Sequence, residues 1–334
     1  MRGARTLETF LRDFGRDHQR RRGPNREGTR VRVGVDVGGT HLRVEAFDDD
    51  WKSVERLKIR VRDDMSPAGV AGQIKSALEG FSGIESLGVG LAGQMSADGS
   101  MVYNAPNLGW RNVAFKAELS TLLGLGSDRL AVVNDLNAVL WGEYVAGAAK
   151  GATDVLAAWV GSGVGGAIIA DGRLVIGAGG KAGELGHVKV VVGGRRCGCG
   201  QDGCVEAYAG GVHLEKQVYA LAAEHGLPGF EDPNAIDLAL VDSQYRDVAV
   251  WTELWEKNTS YLALAIANAL TVLNPSLLLL GGGVLENLEN FRDLTLRKVV
   301  PLVLDAARED LRIAFGELGD GAGTLGAAAL SLQP

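Results

Sequence analysis

Cysteine is scarce in this chain of 334 residues: there are three, Cys197, Cys199 and Cys204, and all fall within one short run. Cys197 and Cys199 are too close to bridge comfortably, and any pairing with Cys204 leaves an odd thiol, which argues against a disulfide framework. A signal peptide is missing too, so nothing points to an oxidising compartment. Long hydrophobic runs are absent. The longest, Tyr261 to Leu273, falls short of the roughly 20 residues that cross a bilayer, and the expectation is a soluble cytoplasmic protein. Positive charge is not in excess: the net charge of -7 gives no general attraction to nucleic acid. A GxxxxGK[ST] phosphate loop is lacking as well, since Lys181 follows Gly180 but precedes Ala182, with Val175 where the first Gly should stand.

Glycine, in contrast, is abundant at 48 residues, about twice the usual share. These glycines cluster at strand ends, which suggests backbone loops wrapped around a ligand. The length suggests about two domains. Residues 1–30 form an arginine-rich extension. Leu7, Phe10, Leu11 and Phe14 there keep helical spacing, so a short amphipathic helix is expected before a basic linker containing Arg20, Arg21 and Arg22. A docking helix or solvated tail is the plainer reading of it, contact with an acidic partner or nucleic acid the sharper one.

The stretch from Gly183 to Glu206, GELGHVKVVVGGRRCGCGQDGCVE, gathers all three cysteines and places His187 just upstream. Three thiolates and one imidazole make a closed tetrahedral Zn²⁺ set; unrelated packed thiols are the alternative. Glu184 and Glu206 flank the set, so an ion pinning both ends would hold two carboxylates and an imidazole at fixed spacing.

Other stretches carry phosphate chemistry. VRVGVDVGGT followed by HLRVEAF reads as strand, glycine turn, strand, with Asp36 ending the first strand, Gly38 and Gly39 in the turn, and Thr40 and Arg43 beyond it. Such a loop can cradle phosphate through backbone N–H groups, with Asp36 orienting Mg²⁺ through water; a common hairpin turn is the alternative. Strand Val155–Val160 runs into Gly161, Ser162 and Gly163, and Gly166 completes GxGxxG. An apolar, β-like run follows where a dinucleotide fingerprint needs a helix, so a second phosphate hairpin is the better reading. Strand Leu130–Val133 delivers Asn134 and Asp135 to the start of a helix, where both are also good N-caps. The loop Asn104–Trp110, NAPNLGW, offers amides and one aromatic face, the mixture that a polyhydroxylated ligand wants, although Asn and Pro also simply make turns. Strand Ser276–Leu280 ends in Gly281, Gly282 and Gly283 before a helix, which fits a nucleoside-binding edge.

The run GELGH with CGCGQDGCVE resembles the signature of the ROK family of repressors, open-reading-frame proteins and sugar kinases. DxGGTxxR ending at Arg43, GSGVGG and NLGW are similar to further family elements, and the resemblance covers about Val31 to Leu332, closest to ROK-type glucokinases. It implies an α/β, actin-like ATPase (ribonuclease H-like) fold with two lobes around a nucleotide/sugar cleft: a lobe from 31 to 140 to which 318–334 returns, and a lobe from 141 to 317 with the zinc segment. It further implies a hexose kinase that moves the γ-phosphoryl of Mg-ATP to the 6-hydroxyl of glucose, with Asp135 as base. Asn107, Asn134, Glu184, His187 and Glu206 would bind sugar, and His187 would serve zinc with one ring nitrogen and a sugar hydroxyl with the other. Asp36, Gly38, Gly39, Thr40, Arg43, Gly161, Ser162, Gly163, Gly281, Gly282 and Gly283 would bind nucleotide and phosphate. Relatives of this kind are commonly dimers or tetramers, so the resemblance implies a homodimer or homotetramer. A kinase for N-acetylmannosamine or fructose, one using polyphosphate, or a non-catalytic sugar-responsive regulator are the competing readings, the last weakened because thirty residues are too few for a winged-helix domain.

Overall fold

The computed structural model describes residues 19–22, 30–61, 64–245 and 248–332; the amphipathic stretch Leu7–Phe14 lies outside them. The chain forms two compact units.

The first unit takes the chain up to Lys150, Ile176–Lys181 and the segment from Glu317 onward. In chain order its elements are β1 (Gln19–Arg22), β2 (Val31–Val37), β3 (His41–Phe47), β4 (Ser53–Arg60), α1 (Pro67–Leu78), β5 (Ile84–Leu91), β6 (Gln94–Met95), β7 (Val102–Ala105), β8 (Trp110–Val113), α2 (Phe115–Leu123), β9 (Leu130–Asn134) and α3 (Asp135–Ala146). Six strands make one sheet in the order β1-β4-β3-β2-β5-β9, antiparallel through the β2–β3–β4 meander and parallel from β2 to β5 to β9. The sequence reading placed a basic linker at Arg20–Arg22; the backbone there instead pairs with β4, Arg20 opposite Leu57. The expected NAPNLGW loop is built into a small three-stranded sheet, β6-β7-β8, through a single 3₁₀ turn.

The second unit holds β10 (Val155–Val160), β11 (Val164–Ala170), β12 (Arg173–Leu174), α4 (Glu206–Ala209), α5 (Gly211–His225), α6 (Leu238–Gln244), α7 (Ala249–Leu273), β13 (Leu277–Gly281), α8 (Gly283–Asn287), α9 (Glu289–Leu302), α10 (Asp305–Glu309) and β14 (Arg312–Phe315). Its sheet runs β12-β11-β10-β13-β14, with β10, β13 and β14 parallel and β10–β11 a hairpin. Each unit therefore repeats one plan: a glycine-turned hairpin whose first strand lies parallel to the next strand of its sheet. All five residues of β13 are buried, as a strand covered on both faces requires. Among the described residues no helix is long and apolar enough to cross a membrane.

The last helix, α11 (Ala322–Leu330), packs on α3 and on the β2–β5 face of the first unit. Its approach is backbone to backbone. A Cβ at Gly34 would stand 1.7 Å from the Thr324 carbonyl oxygen, and one at Gly88 1.7 Å from that of Ala327, so only glycine admits the helix at these points. Polar bonds then fix its register. Thr324 Oγ1 donates to the buried Glu45 carboxylate at 2.8 Å, and Ser331 Oγ donates to Ser86 Oγ at 2.8 Å.

Candidate active site and metal centre

In the first unit the chemistry gathers at the ends of β2, β3 and β9. Asp36 and Arg43 are cross-strand partners, and Arg43 Nη1 donates to Asp36 Oδ2 at 3.0 Å. The other arm of the guanidinium, Nη2, donates to Asp320 Oδ1 at 3.1 Å, and Asp320 Oδ2 accepts from Lys58 Nζ at 3.2 Å. Arg43 and Lys58 face each other across β3 and β4, a like-charge pair that would repel without the carboxylate shared between them. Burial works against the Asp320 carboxyl, but Arg43 and Lys58 outweigh it and hold it below its ordinary value. Burial pushes Asp36 up while Arg43 pulls it back, leaving it above its ordinary value. Gly39 and Thr40 are exposed at the turn, whereas the Gly38 N–H is already spent on the His41 carbonyl at 2.9 Å.

Asn134 caps α3: its Oδ1 accepts from the N–H groups of Leu136 at 2.9 Å and Asn137 at 3.0 Å, and its amide donates to the Gly93 carbonyl at 3.2 Å. Asp135 is the first residue of the helix, with Oδ1 accepting from the Leu136 N–H at 2.9 Å. Asn107 is exposed on its 3₁₀ turn. Trp110, expected to show a flat face, is only 3% exposed; its indole N–H donates to the Met65 carbonyl at 2.7 Å and its ring leans on Phe115, so it belongs to the core. A large aromatic buries more apolar area than its neighbours, and packing claims it.

In the second unit His187, Cys197, Cys199 and Cys204 converge, their ligand atoms all within 4.8 Å of one another. A tetrahedral Zn²⁺ with Zn–S near 2.3 Å and Zn–N near 2.0 Å sets ligand-to-ligand edges of about 3.5–3.8 Å. Cys199 Sγ to Cys204 Sγ is 3.7 Å and Cys197 Sγ to His187 Nδ1 is 3.7 Å, so two edges already have that length. Burial pushes the Cys197 thiol up to about 12, so a thiolate there needs a cation beside it. Lys189 Nζ lies 2.8 Å from Cys204 Sγ. The donor set and spacing fit a structural zinc.

Glu184 and Glu206 lie next to this cluster. His187 Nε2 is 3.8 Å from Glu184 Oε2, too long for a hydrogen bond, and Cys197 Sγ is 3.5 Å from Glu206 Oε1. Glu206 Oε2 accepts from the Val164 N–H at 3.2 Å, immediately after the glycine turn of the β10–β11 hairpin. A Cβ on Gly163 would come within 2.5 Å of that same oxygen. The hairpin is braced on its other side by the start of α5, where the Gly211 and Val212 N–H groups donate to the Gly161 and Ser162 carbonyls at 2.8 and 3.0 Å.

Beside this hairpin opens a cavity of about 710 Å³ within the second unit. Gly161, Ser162 and Gly283 line it, with Val284 and Leu288 supplying apolar wall and Asn234 and Asp237 polar groups. Gly281, by contrast, ends β13 against the Trp159 ring, and Gly282 turns the chain with φ of 90°. Asn234, Asp237, Lys189, Lys58 and Asp320 escaped the sequence reading. None is a glycine, cysteine or histidine of the patterns read above, and only the folded chain brings each to its partners.

The ROK family model matches residues 32–334. A glucokinase of Streptomyces coelicolor is 32% identical over 90% of this chain and 98% of its own length. An N-acetyl-D-glucosamine kinase of Vibrio cholerae is 28% identical over 90% of this chain and 99% of its own. Among solved structures, a ROK family glucokinase from Streptomyces griseus in complex with glucose and AMPPNP superposes with a TM-score of 0.76 at 30% identity, covering 91% of this chain and 100% of that one.

Proposed function

The chain belongs to the ROK family and is a sugar kinase with the actin-like ATPase fold, and from that premise we propose that it transfers the γ-phosphoryl of Mg-ATP to the 6-hydroxyl of glucose, with Asp135 as base. The observation that carries this reading is Asp135 at the first position of α3. A carboxylate is favoured there by the helix dipole, and Asn134 does the capping. The Asp135 carboxylate would take the hydroxyl proton as the acceptor oxygen bonds to the γ-phosphorus and the bond to ADP breaks. In such transfers positioning and electrostatics do most of the work, and the base mainly orients the nucleophile.

The donor is assigned to the second unit. The cavity has an apolar wall for a flat nucleobase and amide and carboxylate groups for ribose or base edges, which favours a nucleotide over polyphosphate. The turns at Gly38–Thr40 and Gly161–Gly163 are assigned to phosphate, and Asp36 would hold Mg²⁺, which supplies charge neutralisation of the phosphates. Arg43 acts through Asp36, since both arms of its guanidinium are occupied by carboxylates. Asn107, Asn134, Glu184, His187 and Glu206 are assigned to the sugar, and His187 with the three cysteines to a structural Zn²⁺ that fixes the segment bearing Glu184 and Glu206. An N-acetylated hexosamine is the second reading of the acceptor, on the strength of the Vibrio cholerae relative. A hexose panel with coupled ADP detection tests both. Glucose should give the highest kcat/KM with Mg-ATP, and a tenfold advantage for an N-acetylated sugar would replace the substrate while leaving the kinase.

A further inference from the structure

Three thiolates and a neutral imidazole around a doubly charged cation leave one surplus negative charge, and Cys204 carries its share while fully buried. Burying an anionic sulfur is costly without a compensating positive group. Such a group stands opposite it. Lys189 and Cys204 are antiparallel bridge partners, and the flanking bonds, Val190 N–H to the Gly203 carbonyl at 2.9 Å and Val205 N–H to the Val188 carbonyl at 3.0 Å, fix that register. Residues directly opposite in an antiparallel pair project on the same side with Cβ atoms about 5 Å apart, so the backbone itself sends the lysine stem over the sulfur. Its ammonium lies 2.8 Å from Cys204 Sγ and also donates to the carbonyl of His187 at 3.2 Å, touching two of the four ligand residues at once.

We infer that Lys189 is a positioning residue of the metal centre: its ammonium offsets the surplus charge of the Cys₃His site, fixes the Cys204 thiolate and ties it to the turn bearing His187. The inference rests on the zinc reading above. Lys189 is exposed, so replacing it does not empty the core. Outer partners that orient metal ligands typically contribute about 10–100-fold in metal affinity.

The test is zinc release from the full-length protein to a chromophoric chelator, after elemental analysis of the purified wild type. Lys189→Met keeps an unbranched apolar stem and removes only the charge and its hydrogen bonds. It should release zinc about 10–100-fold faster than wild type, while Lys189→Arg, which restores the charge, should stay within a few-fold. Release from Lys189→Met at the wild-type rate, or an arginine variant as leaky as the methionine one, overturns the inference and leaves the zinc site standing. A wild type that purifies without zinc overturns the zinc reading itself, which elemental analysis shows before any variant is made.

Discussion

Replacing Asp135 by Asn separates chemistry from folding at the start of α3, because the structure divides the two tasks between neighbours. Asn134 satisfies two of the orphan N–H groups of the helix, those of Leu136 and Asn137. Asp135 accepts from the Leu136 N–H and puts a negative charge in the first turn. Loss of that charge costs about 0.3–1 kcal/mol, whereas loss of an Asn N-cap to Ala costs about 0.5–2 kcal/mol. With roughly 2–4 °C of melting temperature per kcal/mol for domains of this size, Asp135→Asn should lower the midpoint by no more than about 4 °C. Its turnover is a different matter: removing a base of this kind lowers kcat by about 10²-fold or more, which at 1.36 kcal/mol per decade is at least about 2.7 kcal/mol of transition-state stabilisation. Asn134→Ala should invert the ranking in stability, melting below Asp135→Asn. The assay is glucose-dependent ADP release at saturating substrates, paired with calorimetric glucose binding and thermal unfolding of all three proteins. Near-wild-type kcat in a folded, glucose-binding Asp135→Asn variant would refute the base assignment.

The remaining predictions concern the metal and the charge row. Cys199 is exposed, so Cys199→Ala should stay folded yet purify with zinc well below one per chain; glucose affinity should fall more than Mg-ATP affinity, and an unchanged glucose affinity by calorimetry would remove zinc from the argument. Mg-ATP affinity should still fall measurably, because Glu206 links the cysteine cluster to the Val164 N–H beside the second glycine turn. Asp320→Asn removes the carboxylate that Arg43 and Lys58 share and leaves Arg43 only its bond to Asp36; since Asp320 is 59% exposed, the stability loss should be limited to about 1 kcal/mol, with Mg-ATP binding weakened and glucose binding unchanged, and equal losses for both ligands would contradict this. For Asp36 the sign follows from its raised value: a carboxyl that holds its proton more tightly when folded contributes stability that is complete below its free value of 3.8 and is lost as pH rises through the folded value. Asp36→Asn abolishes that loss, so the melting temperature of the variant relative to wild type should rise from acid to neutral pH; a relative fall over that interval would show the shift to be downward.

Much of this was legible in the sequence because it was local. The β–glycine–β hairpins at Asp36–Arg43 and Val155–Ala170 declare themselves by a strand period broken by glycines, and the run after GSGVGG does form strand β11. The convergence of His187 with the three cysteines is written in short spacings of rare residues. What stayed hidden depends on distant partners. Trp110 looked like a ligand platform because its neighbours are amides, but Phe115 and the Met65 carbonyl claim it. Arg43 looked aimed at phosphate until Asp320, 277 residues away in sequence, took one arm of its guanidinium. The cavity was only partly legible: Gly161, Ser162 and Gly283 stand in glycine patterns, but Asn234 and Asp237, which line it with them, belong to no pattern.

The position of α11 bears on how the chain is made. A ribosome emits the β2–β5 sheet of the first unit early, but the helix that closes over Gly34 and Gly88 follows the whole second unit in the chain. Until it emerges, the part of that face over Gly34 and Gly88 lacks its cover, while the second unit, complete by Gly316, already has all its strands and helices. Domains generally fold as units, N-terminal first during synthesis, and the expectation here is the reverse order. A nascent chain stalled before Glu317 should carry a protease-resistant second unit and a labile first one, so a premature stop just before Glu317 should unfold the unit whose sheet was made first.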